Sequence, residues 1–221
     1  MAQVVPAILE GDLDAFLHKS SLVEKIPGVR KIQVDFSDGK FTAHSTISMA
    51  DLQTLNPIYE WEAHLMLENP DKTFLDAKIL GFNSVIFHYE STSAKSNLKN
   101  WAEEIRKLKM SPGLAINPET HPSDIAGLAE EFDQILVMGV HPGVQGAKFL
   151  PETIEKVKEL KNRLKKPIIE VDGGVDLQNI QSLVESGAEL LVTGSALMAE
   201  PFSPADNFNK LSQIAAKIVP N

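Results

Sequence analysis

The sequence contains no cysteine. Disulfide cross-links and thiolate zinc centres are therefore excluded. Positive charge is in short supply: 21 Lys and Arg against 30 Asp and Glu leave a net charge of −9. With no basic run to offset that balance, no nucleic-acid partner is expected. A small anionic ligand is still compatible, because local backbone amides bind phosphate whatever the total charge. Long apolar runs are missing too. No stretch approaches the ~18 residues of a membrane span, and the amino terminus lacks a basic segment followed by an apolar run. No membrane partner and a cytoplasmic location are the expectations. Neither a low-complexity tract nor a linker-like break interrupts the 221 residues. One domain over residues 1–221 is expected, long enough to bury a sizeable core.

What the chain does contain is an alternation. Strand-like apolar runs are read at Val4–Leu9, Lys31–Phe36, Trp61–Leu67, Ser84–His88, Pro112–Ile116, Gln134–Met138, Ile168–Asp172 and Glu189–Thr193. Amphipathic or capped helical patterns follow them. They are read at Asp12–Glu24, Met49–Leu55, Pro70–Leu80, Lys95–Lys109, Pro122–Glu131, Pro151–Leu164, Leu177–Ser186 and Ala205–Val219. Asp176 is placed to cap the seventh of these. Eight strand–helix units of about 27 residues each imply a parallel sheet, and their number fits a closed (β/α)8 barrel. An open doubly wound sheet would need a glycine-rich loop after the first strand. Pro6-Ala7-Ile8-Leu9-Glu10-Gly11-Asp12 is not one.

In a barrel the carboxyl ends of the strands converge on one mouth. The residues there are Gln33 and Asp35, His64 and Met66, Met138, and Asp172. Two carboxylates on separate strands suit proton removal from one face of a substrate and return to the other. Asp35 equally suits a cap for the turn at Asp38-Gly39. His64 equally suits a satisfied core histidine, and Met66 and Met138 equally suit core filler. A second group is glycine-rich: Gly143 and Gly146 after the sixth strand, Gly173 and Gly174 after the seventh, Gly194 and Ser195 after the eighth. Phosphate sites in such barrels are built from the loops after strands seven and eight and a short helix amino terminus. Ala196-Leu197-Met198 is the candidate for that helix.

Over nearly its full length the chain resembles the ribulose-phosphate 3-epimerase family. The matching stretches are Pro6-Ala7-Ile8-Leu9, Val34 to Phe41, His64 to Pro70, His88-Tyr89-Glu90, Asn117-Pro118-Glu119-Thr120, His141-Pro142-Gly143, Glu170 to Gly174, and Gly194-Ser195. The resemblance implies a barrel that interconverts D-ribulose 5-phosphate and D-xylulose 5-phosphate, with Asp35 and Asp172 as the acid/base pair. It implies a divalent metal cofactor (Zn, Fe, Mn or Co) with Asp35, His64 and Asp172 as ligands. Met66 and Met138 would line the site beside His64, and the glycine loops would take the phosphate. A sugar phosphate is the expected partner, and a homo-oligomer the expected assembly. Three departures stand out. Gln33 replaces a family histidine ligand, Ser37 a site methionine, and Ala7 a serine. A glutamine amide oxygen is a poor ligand for ions that favour imidazole, so weak or absent metal is expected. Donors to the enediolate would then come from the Gln33 amide, Ser37 and a protonated His64. The alternative reading is a substrate-shifted or non-catalytic sugar-phosphate-binding barrel. A lysine-dependent aldolase is set aside, because no strand end carries a lysine.

Overall fold

The computed structural model describes residues 1–143 and 146–217. Eight parallel strands close in sequence order into a barrel. They are β1 (Gln3–Ile8), β2 (Lys31–Ser37), β3 (Glu60–Met66), β4 (Ser84–His88), β5 (Ser111–Ile116), β6 (Gln134–Met138), β7 (Ile168–Asp172) and β8 (Leu190–Thr193). Alternation along each strand sends one set of side chains into the barrel and the other toward the helices. On β2 this puts Val34 and Phe36 in the outer core and Lys31, Gln33 and Asp35 inside. The register sets Asp35 level with His64, and Met138 level with Asp172.

Seven α-helices surround the barrel among the described residues: α1 (Leu13–Glu24), α2 (Phe74–Leu80), α3 (Ser96–Lys107), α4 (Pro122–Ile125), α5 (Glu152–Arg163), α6 (Ile180–Ser186) and α7 (Pro204–Lys217). Asp12 caps α1 by accepting from the Ala15 amide at 2.9 Å. Helix α3 buries Leu98, Trp101, Ala102 and Ile105, the spacing of a single apolar face. Trp101 meets Phe87 of β4 edge-on at 5.3 Å, and Phe87 also touches Phe74 and Phe132, so the wall behind β4 is aromatic.

Four helical expectations are corrected. Met49–Leu55 is only a 3-10 turn over Met49–Asp51, so no α-helix joins β2 to β3. Ile47, Met49 and Leu55 cover that groove instead. Pro122–Glu131 is broken: α4 ends at Ile125 and a separate 3-10 turn spans Ala129–Glu131, with the poor helix former Gly127 between them. Asp176 accepts from the Gln178 and Asn179 amides, so the chain makes a turn there and α6 begins only at Ile180. Ala196–Met198 is a pair of tight turns, with Leu197 and Met198 amides bonded to the Gly194 and Ser195 carbonyls. The end of the last expected helix, Ile218 and Val219, lies outside the described residues.

Candidate active site

The barrel floor is polar. Glu62 and Glu170 are fully buried. Lys31 Nζ sits 2.6 Å from Glu62 Oε2, and Ser84 Oγ donates to the same oxygen at 2.8 Å. The Gln134 amide donates to both glutamates. Burial, together with the Glu62 charge, pushes the Glu170 carboxyl well above its ordinary range. Sequence reasoning missed this cluster. Period-two spacing would have flagged it, since Lys31, Glu62, Gln134 and Glu170 share the inward face with Asp35, His64, Met138 and Asp172.

Above the floor three strands converge. His64 Nδ1 lies 2.9 Å from Asp35 Oδ1 and 3.2 Å from Asp172 Oδ2. Gln33 Nε2 donates to the same two oxygens, at 2.8 Å each. Two carboxylates thus share two donors. The other oxygens, Asp35 Oδ2 and Asp172 Oδ1, have no protein hydrogen-bond partner among the described residues. Burial raises the Asp35 pKa and the Asp172 charge adds to that, against the opposing His64 and Gln33 hydrogen bonds. Burial alone would depress the His64 pKa; hydrogen bonds to Asp172 and Asp35 reverse the sign and push it up to about 10. The turn after β2 is held by Asp38, whose carboxylate accepts from the Lys40, Phe41 and Glu68 amides. Asp35 is not needed there.

One cavity opens over this group. Asp35, His64, Met66, Met138 and Asp172 line it, as do Gly143, Gly146, Gly173, Gly174, Gly194 and Ser195. Every residue expected at the mouth is therefore brought together, with two exceptions. Gln33 lies beneath the carboxylates, fully buried, and its amide is spent on them. Ser37 is bonded to His44 O and Thr42 Oγ1, at 2.6 Å each, inside its own loop. Neither is available as a donor to a substrate oxygen, which corrects the expectation above. On the far rim, no internal acceptor takes the amides of Gly174, Gly194 or Ser195 among the described residues. Gly174 has φ +69°, and a Cβ there would lie 3.0 Å from the Phe149 backbone. Glycine is what lets the loop fold flat against the rim. Val144 and Gln145, between Gly143 and Gly146, lie outside the described residues.

The donor set fits a divalent ion at three points. Asp35, His64 and Asp172 each offer one ligand atom, all within 4.8 Å of one another. Gln33 offers no fourth ligand as placed, since its nitrogen faces the carboxylates and its Oε1 is buried without a partner. A half-turn of that amide would bring oxygen to the site, a donor suited to harder ions than zinc.

Sequence reasoning also assigned no role to His88 and Glu90. His88 Nε2 lies 2.8 Å from His64 Nε2, directly behind the site. The position of His88 at the carboxyl end of β4 was the available signal.

The ribulose-phosphate 3-epimerase family model matches residues 3–198. The ribulose-phosphate 3-epimerase of Bacillus subtilis (strain 168) is 31% identical over 221 residues, covering 97% of this chain and 98% of that one. The protein of the same name from Chlamydia trachomatis is 32% identical over 201 residues, covering 87% of this chain and 84% of that one. Among solved structures, 3-hexulose-6-phosphate synthase from Salmonella typhimurium superposes with a TM-score of 0.73 at 17% identity, covering 98% and 99% of the two chains. At that identity it speaks to the barrel alone. Sequence and site converge, and the chain belongs to the ribulose-phosphate 3-epimerase family.

Proposed function

We propose that this protein epimerises a ketose phosphate at C3, interconverting D-ribulose 5-phosphate and D-xylulose 5-phosphate. The observation that carries the reading is the pair of unclaimed oxygens, Asp35 Oδ2 and Asp172 Oδ1, on carboxylates whose other oxygens are pinned by shared donors. In one direction Asp172 takes the C3 proton and leaves a cis-enediolate. Asp35, whose raised pKa suits it to hold a proton, delivers one to the opposite face. The reverse direction exchanges the roles. The protonated His64 lies within reach of both carboxylates and limits the charge that builds up as they exchange protons. The amides of Gly174, Gly194 and Ser195, with Gly143, Gly146 and Gly173 around them, hold the phosphate. Met66 and Met138 form the apolar wall against the carbon chain. With a divalent ion bound (Zn, Fe, Mn or Co), Asp35, His64 and Asp172 would hold it, and it would supply polarisation of the C2 carbonyl.

The test is conversion of ribulose 5-phosphate in D2O, with chelator and with added Zn²⁺ or Mn²⁺. Solvent deuterium should appear at C3 of the product. No conversion and no deuterium at C3 under any of these conditions would remove the reading. A second reading is favoured by Gln33, whose amide nitrogen occupies the carboxylates. It is a metal-poor barrel that turns over a shifted substrate or only binds a sugar phosphate. Metal analysis of the purified protein separates the two. A homo-oligomer is proposed as well. Exposed Leu13 and Leu17 on α1 and Leu75 and Ile79 on α2 offer apolar surface for one, and light scattering reads the mass.

A further inference from the structure

Two groups beneath the mouth are used by nothing described above: His88, at the end of β4, and Glu90, two residues on. His88 is fully buried. Its Nε2 lies 2.8 Å from His64 Nε2, with the two rings stacked at 5.0 Å and 23°. One of those nitrogens carries the hydrogen and the other accepts it. Which one does so is decided on the far side of His88. There Nδ1 faces Glu90 Oε2 at 3.4 Å. Neither atom has a hydrogen-bond partner among the described residues, so nothing competes for this contact. The Asn117 side chain also lies close to His88, and its Oδ1 is likewise buried and without a partner among the described residues.

A carboxylate oxygen facing a buried ring nitrogen favours a hydrogen on that nitrogen, because two lone pairs would repel. Glu90 is held in place, because its Oε1 accepts from the Asn117 backbone N–H at 3.0 Å and from Thr120 Oγ1. His88 therefore carries its hydrogen on Nδ1 and presents the Nε2 lone pair. The hydrogen between the rings belongs to His64. That ring has two carboxylate oxygens within 3.2 Å of its Nδ1 to compensate any charge. His64 is then turned one way only, with Nε2–H inward and Nδ1 toward Asp35 and Asp172. Phe41 closes over His88 at 4.7 Å between ring centres, so the second ring has no room to swing.

We propose that Glu90 and His88 are positioning residues for the active site: Glu90 holds the His88 ring in its Nδ1–H form, and His88 holds His64 so that Nδ1 faces the two carboxylates. The proposal rests on the reading of His64 as part of the site, and it gives the family-matching His88-Tyr89-Glu90 stretch a task. Neither residue touches substrate. They act by fixing a tautomer, as groups behind a metal-ligating histidine do.

Two measurements test it. In protein labelled with ¹⁵N at its histidines, in chelator at neutral pH, two-bond ¹H–¹⁵N correlations should show His88 protonated at Nδ1 and bare at Nε2. The opposite tautomer in the wild type overturns the proposal, and no variant is needed to see it. The second is Zn²⁺ affinity by chelator competition. His88→Met removes the acceptor and should weaken Zn²⁺ binding about 10–100-fold, the usual cost of losing such a partner. His88→Gln restores an acceptor oxygen at that reach and should return affinity to within about threefold of wild type. Equal affinity in all three proteins overturns the proposal, because a ring that only fills space would not distinguish Met from Gln. A wild type that binds no Zn²⁺ counts against the metal-assisted function proposed above, while the tautomer measurement still decides this one.

Discussion

His64 makes the stability of the metal-free protein depend on pH in a direction that can be worked out beforehand. Its folded pKa is raised to about 10 by Asp172 and Asp35 acting against burial. An unfolded histidine titrates near ~6.5. A group raised on folding contributes stability that is complete below the unfolded value and is lost as pH rises through the folded one. Between about 6.5 and 10 the folded state holds a proton that the unfolded chain has released, so stability falls by about 1.4 kcal/mol per pH unit. From pH 7 to pH 9 the loss is on the order of 3 kcal/mol, a large fraction of a typical domain's total. The assay is urea unfolding in chelator at several pH values, comparing wild type with His64→Gln. Groups away from the site titrate alike in both proteins and cancel in the difference; Asp35, which His64 holds down, is followed separately in an Asp35→Asn background. The His64→Gln penalty should be largest near neutral pH and shrink toward pH 10. A difference that stays constant from pH 6.5 to 9.5 would show that His64 is not held as an imidazolium by the two carboxylates, and the electrostatic account of the site would be wrong.

Asp35→Asn and Asp172→Asn should each lower turnover by ~10²–10⁴-fold while leaving sugar-phosphate binding largely intact. Near-wild-type rates in either variant would end the two-base assignment. Gln33→His should raise Zn²⁺ affinity at least about tenfold, because imidazole is the better zinc ligand. Ser37 is left alone in that design, since its hydroxyl ties the loop after β2 to Thr42 and His44. Isothermal titration on both proteins gives the answer, and an unchanged constant would mean that residue 33 does not reach the ion. Gly174→Val places a branched side chain on a φ of +69° and against Phe149. Inorganic phosphate, followed by ³¹P line broadening, should bind at least about tenfold more weakly to it, and equal binding would move the anion site elsewhere.

The barrel was legible because its strands are short apolar runs with clear stops. Ser84–His88 and Gln134–Met138 are found with the same limits that the sequence suggests. Helices were less legible where polar turn chemistry competes with helical periodicity. Asp176, Gly127 and the Gly194-Ser195 turn each divert the backbone before a helix can form or continue. The mouth residues were legible because strand ends converge by construction in this architecture. The state of His64 was not. It depends on four neighbours, Gln33, Asp35, His88 and Asp172, drawn from three other strands, and on which atom each one turns toward the ring. No spacing in one dimension encodes a tautomer.

The groove between β2 and β3, covered by a 3-10 turn instead of an α-helix, bears on how the barrel opens. A strand under a loop is released by smaller local openings than one under a packed helix and an aromatic wall. Amides of Ile32 to Phe36 should therefore exchange with solvent sooner than those of Val85 to Phe87, which lie behind Trp101 and Phe132. Asp35 stands on the stave that a loop covers, and Asp172 on β7, which packs against α5. A ligand that engages both carboxylates would then act as a clasp across the barrel, and its arrival would register in slowed exchange along β2.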